Sequence, residues 1–238
     1  MNRSWHVAHR ILFSIYAGVL LDRKVKWTEP IPDEPVIFAV NHPTTTDPFL
    51  IPLLTKRPLT ILITQKAFDV PLFGRLLKAA GHLCVPELYS GGEDLINKAV
   101  DKLKEGRSVC IFPEGNLSPD MGEFLAPHTG VARIALLSGA PVVPIGIHMF
   151  KDGTTTTQTV TKNFTSTSRW AVRGPYYVTI GKATRYEGSL EDRERVRQVM
   201  HEIMDTVKEE AWLSRDRLMQ EQPLWQPLSK ILFNQLIR

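Results

Sequence analysis

Two short segments of this chain combine residue types that can move a proton. In Asn41-His42-Pro43-Thr44-Thr45-Thr46-Asp47 a histidine and an aspartate stand five positions apart in a turn-rich stretch. An imidazole titrates near neutrality and can accept a proton at working pH. A carboxylate on its other ring nitrogen would fix the tautomer and stabilise the imidazolium. If the two side chains meet, they form a base and its orienter with no protein nucleophile, which suits direct deprotonation of a substrate hydroxyl. The same spacing also fits a plainer arrangement, in which Asp47 caps a helix beginning at Pro48. The second segment, Phe112-Pro113-Glu114-Gly115-Asn116, follows about 70 residues later.

Other chemistries find less support. There is no Gly-x-Ser-x-Gly elbow for a serine hydrolase, and Cys84 and Cys110 lie in apolar runs that read as buried packing rather than nucleophiles. Two such thiols do not make a disulfide framework. The seven histidines are scattered and His-Glu-x-x-His is absent, so no metal is expected. His6 and His9 share a helical face and are expected to flank a membrane helix. The net charge of +4 suits an anionic membrane, nucleic acid or an acidic metabolite. Without zinc-finger spacing or an RNP-like aromatic segment, no nucleic-acid partner is expected.

The elements that must position these residues can be read from periodicity. Residues 36–40, 59–64, 82–85, 108–112, 141–149 and 176–180 are short apolar runs that predict strands. Residues 71–80, 129–138 and 190–213 predict helices, as do Leu95, Ile96, Ala99, Val100 and Leu103 on one face, with Ser90 and Glu93 as a capping box. Strands alternating with helices predict one α/β domain built on a largely parallel sheet flanked by helices. Ligands in such sheets collect at the carboxyl ends of the strands. His42 and Glu114 each directly follow a predicted strand and so fall at that edge. Residues 154–168, rich in Thr and Ser, show no period and read as a loop or a hairpin.

The N-terminus has an apolar run at residues 11–21, interrupted by Ser14 and Gly18. As a helix it covers about 16 Å, against about 30 Å for a bilayer core. It is too short to span, and Trp5 and the flanking bases suit a helix lying in the interface of one leaflet. No secretory signal is evident, because no small-residue cleavage site follows the run. The expected organisation is an interfacial helix at 1–28, a catalytic domain at 29–213 and an amphipathic segment at 214–238. That last segment reads as a second interfacial helix or a packing lid. The protein is expected on the cytoplasmic face of a membrane, with membrane lipids as partners.

The two motifs together resemble those of the glycerolipid acyltransferase family, typified by 1-acylglycerol-3-phosphate acyltransferases. His42 to Asp47 looks like its His-x-x-x-x-Asp motif, and Phe112 to Gly115 like its Phe-Pro-Glu-Gly block. Val143-Pro144-Ile145-Gly146 is similar to its later Val-Pro block, and Lys66 stands where a lysine is common. The resemblance covers residues 36–147. It implies transfer of a fatty acyl group from acyl-CoA or acyl-carrier protein to a lysophospholipid hydroxyl, with no cofactor. It implies His42 as general base and Asp47 as its partner, with Lys66, Glu114, Gly115 and Asn116 in the acceptor site. Two positions depart from the family pattern: Pro86 and Leu117 stand where arginines associated with the acceptor's phosphate are usual. Lost guanidinium contacts weaken phosphomonoester binding. Either Lys66, Arg75 or Arg133 substitutes, or the acceptor is a lysolipid with a masked phosphate or an ornithine- or sugar-type headgroup.

Overall fold

The apolar runs read as strands are strands, and they join into one mostly parallel sheet. The protein is described by a computed structural model covering residues 3–86, 92–160 and 165–221. In chain order, α1 (Arg3–Val19) leads to β1 (Leu21–Trp27) and β2 (Ile37–Val40), then α2 (Asp47–Leu50), β3 (Leu59–Thr64), α3 (Gln65–Phe68), α4 (Phe73–Ala79) and β4 (Leu83–Val85). There follow α5 (Gly92–Lys104), β5 (Ser108–Ile111), α6 (Gly130–Ser138), β6 (Val142–Met149), β7 (Thr154–Val160), β8 (Thr165–Ala171), β9 (Gly174–Ile180) and α7 (Arg193–Gln220). The proposed cap residue Ser90 and residues 222–238 lie outside the described residues.

The sheet order is β1-β9-β6-β2-β5-β3-β4. All neighbours run parallel except β6 and β9. Every residue of β2, β5, β6 and β9 is buried, as continuous apolar strands covered on both faces require. Alternate residues feed two cores. Ile37, Ala39, Val109 and Val142 face α5, α6 and α7, while Phe38, Val40, Cys110, Val143 and Ile145 face α1, α2 and the turn at Ile51–Leu54. Helix α7 lies so close to β6 that a Cβ on Gly146 would sit 1.9 Å from the Ala211 nitrogen, so only glycine fits there.

Two boundaries differ from expectation. The N-terminal helix stops at Val19, and residues 21–27 form an edge strand parallel to β9 rather than the helix flank. Asp22, Arg23, Lys24 and Lys26 look like a helix's charged end, but charged side chains also blunt an exposed sheet edge. Helix α7 runs past Leu213 to Gln220, so the boundary drawn at 213 falls inside a continuous helix. Its start is fixed by Asp192, whose side chain accepts from the amides of Glu194 and Arg195. The Thr-rich stretch is a hairpin, β7 antiparallel to β8, forming a separate two-stranded sheet.

Candidate active site

Strand β2 ends at Val40, and the side chain of the next residue, Asn41, bridges to the neighbouring strand. Its Oδ1 accepts from the Ile147 amide at 2.7 Å and its Nδ2 donates to the Ile147 carbonyl at 3.0 Å. This locks the chain just before His42. Five residues on, Asp47 opens α2 and is fully buried. The helix's N-cap is Thr46 and not Asp47, and the Asp47 carboxylate turns toward the histidine instead of capping the helix. His42 Nδ1 lies 3.0 Å from Asp47 Oδ2. The same oxygen accepts from the Thr44 amide at 2.8 Å, while Oδ1 accepts from Thr44 Oγ1 at 2.5 Å and Tyr176 Oη at 2.7 Å. Four donors match a carboxylate's full acceptor capacity. With its proton on Nδ1 toward Asp47, the imidazole presents the Nε2 lone pair as the base. The Phe112 ring stacks on the imidazole at 4.1 Å between centroids and 24° between planes, which fixes the plane of the base.

Glu114 sits where the sequence placed it, at the end of β5 beside His42, but its carboxylate points inward. It is 1% exposed. Oε1 accepts from the His42 amide at 3.1 Å and from Ser118 Oγ at 2.8 Å, and Oε2 accepts from the Leu125 amide at 2.8 Å. These three bonds fold residues 115–125 against the base. The Ser118 amide returns a bond to the His42 carbonyl at 2.8 Å, so the histidine's peptide is held on both sides. Gly115 makes the turn in a left-handed backbone, φ +69°, with its amide on the Phe112 carbonyl. Asn116 is exposed at the loop's tip. Lys66, in the first turn after β3, is half-buried at the same sheet edge; β5 separates β3 from β2. Arg75 is exposed on α4 and Arg133 half-buried on α6.

The hairpin supplies a wall that the sequence reading missed. The Thr45 amide donates to the Arg169 carbonyl at 2.7 Å, the Arg169 amide to Thr45 Oγ1 at 3.0 Å, and the Ala171 amide to Thr46 Oγ1 at 2.9 Å. The Arg169 guanidinium donates to the carbonyls of Pro43, Ser118 and Pro119, stapling the loop of the dyad to the loop after Glu114. Nothing in a two-stranded, mostly exposed Thr-rich hairpin announces this role. Tyr176 did leave a signal: a tyrosine in a buried apolar strand needs a partner for its hydroxyl.

Neither cysteine is set up as a nucleophile. Cys110 is buried, and desolvation, helped by the charge of Asp47, pushes its thiol pKa far up. Burial, with a contribution from Asp69, also raises Cys84, whose thiol donates to Gln65 Oε1 at 2.8 Å.

The site is a histidine–carboxylate dyad at the carboxyl edge of a mostly parallel α/β sheet, with no cysteine set up as a nucleophile among the described residues. The chain belongs to the Acyltransferase family, whose model matches residues 22–148. It is 35% identical over 133 residues to a lyso-ornithine lipid O-acyltransferase of Pseudomonas aeruginosa, covering 55% of this chain and 49% of that one. It is 29% identical over 146 residues to a 1-acyl-sn-glycerol-3-phosphate acyltransferase of Chlamydomonas reinhardtii, covering 61% and 42%. The chain therefore spans about half the length of these curated relatives, or less. Among solved structures, the 1-acyl-sn-glycerophosphate acyltransferase PlsC of Thermotoga maritima matches with a TM-score of 0.60 at 22% identity, over 87% of this chain and 78% of that one. That likeness establishes the shared fold.

Proposed function

We propose that this protein is an O-acyltransferase that moves a fatty acyl group from a thioester donor, acyl-CoA or acyl-carrier protein, to the hydroxyl of a lysolipid. The observation that carries the reading is the His42–Asp47 dyad. Nε2 takes the acceptor's hydroxyl proton as the oxygen attacks the thioester carbonyl. A C–O bond forms, the tetrahedral adduct collapses with cleavage of the C–S bond, and the imidazolium returns the proton to the departing thiolate. The balance closes without a covalent enzyme intermediate or a cofactor. General-base assistance of this kind contributes about 10²- to 10⁴-fold.

The charge of the site bears on the choice of acceptor. Pro86 and Leu117 offer no guanidinium, and the Glu114 carboxylate is buried and already accepts three hydrogen bonds. Burying a phosphomonoester without charged donors is costly. These features, with the likeness to a lyso-ornithine lipid O-acyltransferase, favour a lysolipid that lacks a phosphomonoester over 1-acylglycerol-3-phosphate. If 1-acylglycerol-3-phosphate is used, Lys66, Arg75 or Arg133 must hold its phosphate, and Lys66→Ala raises its KM.

We place the reaction at the cytoplasmic surface of a membrane. Among the described residues no helix is long and apolar enough to cross one. Helix α1 nevertheless turns Ile11, Leu12, Ile15 and Val19 outward, at 57, 63, 59 and 75% exposure. Leu72 is 68% exposed in a left-handed backbone, φ 63°, a strained conformation for a leucine. Phe49, two residues past Asp47, stacks on Phe13 of α1 at 5.0 Å and lies 6.0 Å from Phe73 and 6.5 Å from Trp170. Apolar side chains from α1, α4 and β8 thus ring the dyad's helix, as a surface that sits in a lipid interface requires.

A panel of lysolipids offered with acyl-CoA and with acyl-carrier protein tests the reading. Thiol release that depends on a lysolipid supports it. Thiol release with free fatty acid and no acceptor means hydrolysis, and lipid binding without turnover means a peripheral binding protein; either outcome overturns it.

A further inference from the structure

Asp47 is held by residues with very different freedom. Thr44 supplies two of its four hydrogen bonds but lies three residues away in the same loop, so it moves with the aspartate. His42 supplies the third, and it is the group to be positioned. The fourth comes from Tyr176, 129 residues away on β9. There the backbone is fixed between β1, where Tyr176 pairs with Arg23, and β6, where it pairs with Met149. Asp47 is 0% and Tyr176 1% exposed, so water cannot replace the bond. The terminal torsion of an aspartate is broad and roughly two-fold, so a carboxylate lacking a fixed donor can rotate.

We propose that Tyr176 is a positioning residue of the dyad: its hydroxyl, donated from the rigid sheet to Asp47 Oδ1, holds the carboxylate at the rotation that presents Oδ2 to His42 Nδ1. The proposal rests on the acyl-transfer reading above. Two consequences follow. Loss of the hydroxyl loosens the imidazole's orientation, which matters in the transition state more than in substrate binding. It also leaves the carboxylate's charge less compensated, so the imidazolium is favoured and the base stays protonated to higher pH. Burial, with the charge of Asp47, holds the phenol protonated well above the ordinary range, so Tyr176 donates throughout the working pH. The other titratable or charged groups facing the dyad are Tyr16 from α1, Arg23 from β1, Cys110 from β5, Glu114 after β5 and Arg169 from β8.

The neighbouring residue provides a matched control. Tyr177 is equally buried, and its hydroxyl also donates to a carboxylate, Glu221 Oε2 at 2.8 Å, but on the α7 face of the sheet. The experiment compares Tyr176→Phe, Tyr177→Phe and His42→Ala in the full chain, with the lysolipid and thioester that the wild type turns over. We expect Tyr176→Phe to lower kcat about tenfold, to leave KM for both substrates within about twofold, and to move the acid limb of the kcat/KM profile upward. Tyr177→Phe should change neither kcat nor the profile. A folded Tyr176→Phe with wild-type kcat and an unmoved limb overturns the proposal, as does a loss that Tyr177→Phe reproduces. If Tyr176→Phe does not fold, 3-fluorotyrosine placed at position 176 keeps the hydroxyl and makes it a stronger donor. It should move the acid limb downward, and an unmoved limb is again fatal. Absence of transfer by the wild type, or full activity in His42→Ala, would instead reject the acyl-transfer reading itself.

Discussion

The two faces of the central sheet are packed alike within and finished differently without. On one face α5, α6 and α7 bury Ile96, Val100, Ile134, Val199 and Ile203 against the strands. Their outward sides carry ion pairs at helical spacing, such as Lys98 with Asp94 and Lys208 with Asp205, beside the exposed Leu137, Trp212, Leu213 and Met219. On the other face α1 buries Ala17 but leaves Ile11, Leu12, Ile15 and Val19 outside. Fully burying one such side chain is worth about 1.5–3 kcal/mol, and α1 forgoes that gain several times over in water. On the reading proposed above, the second face is completed by an apolar neighbour. The dyad lies on the second, which on that reading puts the base where a lipid hydroxyl would arrive.

The comparison can be broken most decisively at the dyad. His42→Ala should lower turnover about 10²- to 10⁴-fold, roughly 3–5 kcal/mol of barrier. Thermal stability and vesicle binding should stay near wild type, and turnover near normal would remove the chemistry from this face. On the other face Ile203, fully buried, should behave in the opposite way. Ile203→Ala should cost about 2–5 kcal/mol in denaturant unfolding, with little change in the KM of the folded fraction.

A pH titration sharpens the same contrast. His148 is buried at the end of β6, where Gly122 and α7 approach it, and its pKa falls from 6.5 to about 4. Burial is the main cause, with Arg215 adding to it and Asp216 opposing it. The unfolded chain therefore binds this proton at a higher pH than the folded one. Stability falls as pH drops from about 6.5 to about 4, by up to roughly 3 kcal/mol. Replacing His148 with Gln should flatten that slope in urea unfolding measured across the window. The smallest effect belongs to α1. Leu12→Ser should weaken flotation with anionic liposomes by about 1 kcal/mol or more in partition energy, yet shift unfolding stability by less than about 0.5 kcal/mol. An equal loss of stability would mean that α1 is packing, not a membrane contact.

What the sequence disclosed divides along the line between local and distant causes. Strands β2 and β5 and the motif residues that follow them were legible because a continuous apolar run and its next residue are local facts. His42 and Glu114 therefore fell at the right edge. Strand β1 was hidden because edge-strand charges and helix-end charges look the same in a window. The hairpin could be read only as a loop or a hairpin because a ribbon exposed on both sides needs no alternation. The inward turn of Glu114 and the reach of Tyr176 across 129 residues depend on tertiary pairing that no spacing encodes.

The grip on the His42 peptide has a consequence for anyone wishing to move this site to another scaffold. Its amide is held by Glu114 and its carbonyl by the Ser118 amide, while Asn41 is pinned to Ile147. The portable unit is therefore not the short run from Asn41 to Asp47. It is three strand ends in fixed register, with the loop from Gly115 to Leu125 kept at its present length, because one residue more or fewer there would shift the histidine itself.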